Sequence, residues 1–135
     1  MKNLDEIEKN IINIANLNNI PLNLCPTFRF NEGTARPEIK VDQLGYHYVI
    51  SERGNVFENY ITLDFDEILY RVFEDATFTL AMKQAMKNRI EGEDFRRQFF
   101  KIQEEMIKEI RESFYIKLCD KHKNILNQYP FSDNE

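Results

Sequence analysis

Apolar side chains recur at Leu4, Ile7, Ile11, Ile14 and Leu17, the rhythm that lines one face of a helix, and Asn3 with Glu6 three residues later has the form of a capping box. This first helix is expected to stop near Asn18 and Asn19, because Pro21 cannot continue it and biases Ile20 toward extended geometry. Residues 21–36 hold Pro26, Asn31 and Gly33 and show no period, which predicts a connection with a short strand at 27–30.

The rhythm then changes to that of strands. Residues 37–41 form the first, and Asp42-Gln43-Leu44-Gly45 suits a turn with Asp at its start and Gly at its end. Residues 45–52 are dense in Tyr, Val and Ile, which fit a pleated surface, and Arg53-Gly54-Asn55 supplies a Gly-centred reversal. Residues 56–63 alternate Phe57, Ile61 and Leu63 against Glu58 and Thr62. The three strands predict an antiparallel meander with one face on the core.

Asp64 is a helix N-cap candidate, with Glu67 at the capping-box position and Leu63 placed to staple onto Ile68. A helical stripe through Val72, Phe73, Ala76 and Leu80 runs to about Ile90, and Gly92 breaks it. From Asp94 the pattern resumes with Phe95, Phe99, Ile102, Met106 and Ile110; after a weak point near Glu112 and Ser113 it continues through Tyr115, Leu118, His122, Ile125 and Tyr129 until Pro130. A helix, then strands, then a helical hairpin and a terminal helix predict an α+β fold, with helices packed on a small antiparallel meander. Residues 1–135 are read as a single domain.

Composition supports a self-sufficient fold. The chain has 135 residues, of which 42% are hydrophobic and 13% aromatic, enough for a core without staples. Cys25 and Cys119 lie far apart with no spaced framework, and the N-terminal apolar run is interrupted by Asn13 and Asn16, so neither disulfides nor a signal peptide is expected. No stretch reaches the roughly 18 apolar residues of a membrane span. The expected location is therefore the cytoplasm, with no membrane as partner.

Charge is unevenly spread. Net charge is −5, and the segment 42–78 holds eight carboxylates (Asp42, Glu52, Glu58, Asp64, Asp66, Glu67, Glu74, Asp75) against two bases (Arg53, Arg71). Nucleic acid is disfavoured as a direct ligand, since phosphate binding rests on Lys and Arg; a basic protein partner fits better. Glu74 and Asp75 interrupt an apolar helix while Arg96 and Arg97 open the next, so these four are expected to pair across the Gly92 break.

Candidate chemistry is sparse. Cys119 and His122 stand one helical turn apart, a spacing open to two metal ligands, with Cys25 and His47 as the remaining candidates. No second paired motif accompanies them, and Ser51 and His47 lie on one strand without a nucleophile elbow. The four glycines stand singly at breaks and cradle no phosphate. No cofactor or metal is expected, and the chain is read as a non-enzyme. The alternatives are a small metal-dependent or hydrolytic enzyme using His47, Cys119 and His122, or an acidic regulatory subunit.

Several motifs in order, YHYVISERG, DEILYRVFEDATFTLA, RIEGEDFRRQFF and YPFSD, preceded by PTFRFNEGTARPEIKV, resemble the bacterial polymorphic-toxin immunity proteins of the immunity protein 63 type. The resemblance covers about residues 21–133. It implies a small cytoplasmic protein without catalysis that binds and neutralises a cognate toxin domain, possible nucleases included, in competition between bacteria. The residues expected to meet that toxin are Glu52, Arg53, Glu58, Asp64, Asp66, Glu74 and Asp75. Reversing Glu52 and Glu58 to Lys is expected to slow association while leaving the fold intact.

Overall fold

In the computed structural model, which describes residues 1–134, helix α1 spans Leu4–Leu17 and its capping box is complete. The Glu6 amide donates to Asn3 Oδ1 at 2.9 Å and the Asn3 amide to Glu6 Oε1 at 3.2 Å. Asn18 is the C-cap, and Asn19 then takes a left-handed φ of 56°, one of the few backbone states that Asn tolerates well. Ile7, Ile11 and Ala15 form the fully buried face.

A 3₁₀ turn, Leu22–Leu24, follows. The strand expected at 27–30 is reduced to one parallel bridge from Thr27 to Glu38. The Thr27 amide donates to the Pro37 carbonyl and the Ile39 amide to the Thr27 carbonyl, both at 2.9 Å. The Thr27 hydroxyl then donates to the Phe30 carbonyl at 2.6 Å, which folds the segment onto itself.

Strands β1 (Glu38–Asp42), β2 (Gly45–Glu52) and β3 (Asn55–Thr62) form an antiparallel sheet in the order β1-β2-β3. Both turns are two residues long. At the second, Arg53 and Gly54 have φ of 53° and 82°, the doubly left-handed signature of a type I′ turn whose twist matches the strands. Gly45 has φ of 132°, and a Cβ there would lie 2.6 Å from the Thr62 carbonyl oxygen, so the close approach of β3 requires glycine.

The register of β3 overturns its simplest amphipathic reading. Ser51 pairs with Val56 but Ile50 pairs with Glu58, which leaves Phe57 as the extra residue of a bulge. Glu58, Tyr60 and Thr62 stand opposite Ile50, Tyr48 and Tyr46, and Tyr46 and Tyr48 are buried. The apolar set points elsewhere: Val56 is 62% exposed, Phe57 66%, Ile61 42% and Leu63 73%. Pairing register assigns a whole strand to one face or the other, and here it sends the polar set inward. Leu63, expected to staple over Ile68, is correspondingly exposed while Ile68 is buried.

Helix α2 (Phe65–Lys87) starts at Asp64, whose Oδ1 accepts from the Asp66 amide at 2.9 Å. It ends three residues before the expected Ile90. The chain divides into two compact units, the first Met1–Phe73 and the second from Glu74 onward, so α2 contributes to both. In the second unit, α3 (Phe95–Ile110) is capped by Asp94, and α4 (Glu112–Gln128) begins after Arg111, a single extended residue at φ −164° and ψ 134°. That break lies one residue before the anticipated weak point, so α4 starts ahead of Tyr115. Ala81, Ala85, Phe99 and Phe100 form the second unit's core, flanked by Phe95, Met106 and Ile125. The α+β class and the antiparallel meander stand as expected.

Candidate functional site

The tip of the β2–β3 hairpin presents Glu52 and Arg53 to solvent. It is backed by the preceding loop: the Ala35 amide donates to the Ser51 carbonyl at 3.0 Å, and Asn31 Nδ2 donates to the Ser51 hydroxyl at 2.7 Å. At the far end of β3, Asp64 and Asp66 are exposed on the first turn of α2. Carboxylates there face the positive end of the helix dipole, which stabilises them.

Glu58 is positioned differently from these. It forms an ion pair with Arg71, whose guanidinium lies 5.1 Å from the Tyr48 ring centroid and 5.7 Å from that of Tyr60. The Tyr60 hydroxyl in turn donates to Glu67 Oε2 at 3.3 Å. Glu58 thus belongs to a charge and ring stack on the α2 side of the sheet, and it reaches a partner only by leaving Arg71.

On the opposite sheet face, His47 Nε2 lies 2.7 Å from Asp42 Oδ1 and His47 Nδ1 lies 3.1 Å from Asn59 Oδ1. The His47 hydrogen bond, followed by the Leu44 amide, holds the Asp42 carboxyl below the usual carboxylate range. Ile61 stands opposite His47 across the strands.

In the second unit, Glu74 pairs with Lys121, and the Glu74 carbonyl accepts from the buried Gln103 amide at 3.0 Å. Asp75 is half-buried on the same helix. The expected pairing of Glu74 with Arg96 and Arg97 is not formed. Arg96 binds Asp94 at 2.9 Å and the carbonyls of Tyr129 and Pro130 at 2.7 and 2.9 Å, while Arg97 binds Asp133 at 2.9 Å. Asp94 wins because it caps the same helix two residues away, and the returning tail brings Asp133 to Arg97. Both carboxyls are held below their usual range, chiefly by the hydrogen bonds from Arg96 and Arg97 respectively.

The residues of the enzymatic alternative occupy unpromising environments. Burial pushes the Cys119 and Cys25 thiols up, away from the thiolate that attacks or ligates. His122 is buried, stacked on Phe100 at 3.9 Å, with Nδ1 2.6 Å from Glu104 Oε2. Burial lowers its pKa and the Glu104 hydrogen bond opposes the shift. Among the described residues no group of three or more His, Cys, Asp or Glu is arranged to hold a metal ion. A cavity of about 370 Å³ between α1 and the following loop is lined mainly by apolar groups, among them Ile11, Leu22, Cys25 and Phe28.

Sequence reasoning missed the outward apolar set of β3 and the Asp42–His47–Asn59 network. The second could have been sought from the turn at Gln43 and Leu44, which folds Asp42 back beside β2. The first had no local signal, because a bulge is defined only against its neighbouring strand.

Among the described residues no helix is long and apolar enough to cross a membrane. Comparison with curated proteins and comparison with solved structures gave no match in either case. The family described as Immunity protein 63 matches residues 42–124, from the first hairpin turn into α4. That match carries the exposed acids at both ends of β3 together with α2, α3 and most of α4, and over more than half of its length this chain belongs to the immunity protein 63 family.

Proposed function

We propose that this protein protects a bacterial cell by binding and neutralising one cognate toxin domain, as a non-covalent inhibitor in the cytoplasm, within a polymorphic toxin system of interbacterial competition. The observation that carries this reading is family membership over residues 42–124, which include the acidic run 42–78 with eight carboxylates against two bases. The first unit holds eleven acids against seven bases, so it supplies four of the five net negative charges, and the second unit holds only one. A field of that sign steers a basic partner, and a nuclease with a phosphate-binding cleft is such a partner.

The charged contacts in this reading are Glu52, Arg53, Asp64 and Asp66, all exposed at the two ends of β3. Glu58 and Glu74 are held by Arg71 and Lys121, and Asp75 is half-buried, so these three contribute to the field more than to direct contact. The family match runs through both compact units, which supports one functional domain over residues 1–135. Inhibition by occlusion needs no catalysis.

The test is co-expression of the toxin domain encoded beside this chain, with and without it, reading growth and complex formation. Protection together with a stable complex is the expected result. Absence of both would end the immunity reading, and an association with a resident host protein alone would favour a regulatory subunit.

A further inference from the structure

The two edges of the sheet are treated differently. A two-residue turn makes Asp42 and Gly45 a hydrogen-bonded pair, so Gly45, His47 and Val49 direct their backbone groups to β1, and Tyr46, Tyr48 and Ile50 direct theirs to β3. By the same alternation Ile39 points away from β2, and there its amide is satisfied by the Thr27 carbonyl. On β3, Thr62, Tyr60 and Glu58 point inward and Asn59 and Ile61 point out of the sheet. Among the described residues β3 pairs with β2 alone. An edge strand left open is ordinarily blunted by charge, proline or a covering segment, because it templates pairing. The bulge at Phe57 interrupts this edge near the hairpin tip, but from Glu58 to Thr62 the pairing is regular, and exposed Phe57, Ile61 and Leu63 lie along it.

Charge selects the occupant. Glu52 lies at one end of the edge and Asp64 with Asp66 at the other, and over residues 42–73 six carboxylates face two bases, one of which is bound to Glu58. Pairing of β3 with a second copy would set one edge flanked by Glu52, Asp64 and Asp66 against another of the same sign, so like charges oppose self-association. A foreign strand with Lys or Arg at its ends and apolar residues between them satisfies every group.

We propose that the open edge of β3 takes an extended segment of the toxin domain as a fourth strand, apolar at its centre and basic at its flanks. Backbone groups at Asn59 and Ile61 form the ladder, and Phe57, Ile61 and Leu63 bury against the incoming side chains. This rests on the immunity reading and adds to it where and how the toxin is held.

The experiment uses the full chain and the purified, catalytically inactivated toxin domain from the adjoining gene, with dissociation constants from calorimetry. Phe57→Ser with Ile61→Ser removes the apolar contacts, and Ile61→Pro removes an outward donor while sparing the bonds to β2. Leu17→Ser, an exposed apolar change on α1, is the control. The serine pair and the proline variant are each expected to weaken binding by about tenfold or more, with Leu17→Ser within about threefold. Should Ile61→Pro lower the melting temperature, the serine pair decides. If the wild type binds and protects but the serine pair binds within about threefold of it, the edge is not the docking surface and the immunity reading stands. A wild type that neither binds nor protects removes both. A homodimer in light scattering that Ile61→Lys dissociates would assign the edge to a second copy and overturn the toxin as occupant.

Discussion

Glu52 and Glu58 carry the same charge six residues apart, and the structure predicts opposite consequences for reversing them. Glu58→Lys breaks the pair with Arg71, an interaction of partly exposed side chains (36% for Glu58 and 26% for Arg71) worth about 0.5–1 kcal/mol. It also sets an ammonium near the guanidinium. At an effective dielectric between that of a protein surface and water this costs about 1–3 kcal/mol, part of which the new side chain relieves by turning to solvent. The stacking of Arg71 on Tyr48 and Tyr60, about 0.5–1 kcal/mol per ring, is strained if the guanidinium withdraws. A net loss of about 2 kcal/mol is expected, or roughly 6–8 °C in melting temperature for a chain of this size. Glu52→Lys, at the exposed hairpin tip, should stay within about 0.5 kcal/mol. The assay is urea and thermal unfolding of the full chain, followed by far-ultraviolet circular dichroism and by tyrosine fluorescence, which no tryptophan obscures. A charge swap, Glu58→Lys with Arg71→Glu, should recover about half of the loss, because it restores the pair but not the cation over the rings. Equal stability of the two single reversals, or no recovery in the swap, would refute the assignment of Glu58 to the fold.

Four further outcomes follow from the same geometry. Gly45→Ala should cost at least about 2 kcal/mol in urea unfolding, since its Cβ would meet the Thr62 carbonyl oxygen, which cannot move without the ladder. Asp94→Ala removes the α3 cap and frees Arg96, for a loss of about 1–2 kcal/mol; because the Asp94 carboxyl titrates below its ordinary 3.8, the wild type keeps that contribution above this value and loses it as pH falls further. His122 has its pKa lowered from 6.5, so the unfolded chain takes up its proton first; stability should be complete above that pH and decline as pH falls through and below it, and His122→Gln should flatten this limb of a pH titration of melting temperature. Glu52→Lys and Asp64→Lys should each slow association with the toxin domain by about threefold to tenfold at low salt, with wild-type and variant rates converging near 1 M salt, where the screening length is about 3 Å.

The candidate site was partly legible. The exposure of Glu52, Arg53, Asp64 and Asp66 follows from their place in a tight turn and a helix cap, where side chains leave the layer that packs. Glu58 and Glu74 looked equivalent to them in sequence but are held by Arg71 and Lys121, partners 13 and 47 positions away. The assignment of Arg96 and Arg97 to Glu74 and Asp75 failed for a related reason: a cap two residues off competes better than a helix across a loop, and the tail residue Asp133 was invisible as a competitor.

What the sequence by itself determined is local. The capping box of α1, the bounds of β2, the tight reversal at Arg53 and Gly54, the cap at Asp64 and the α+β order all depend on residues within a few positions of one another, where backbone geometry and side-chain hydrogen bonds act without regard to the rest of the chain. Tertiary structure alone decided which charges pair and which way β3 faces. A bulge at Phe57 exists only in relation to β2, and one residue of register turns Phe57, Ile61 and Leu63 from expected core into exposed surface. The Glu58–Arg71–Tyr48 stack and the close approach of Thr62 to Gly45 go with that choice, and both arise between segments that meet only once the sheet has closed.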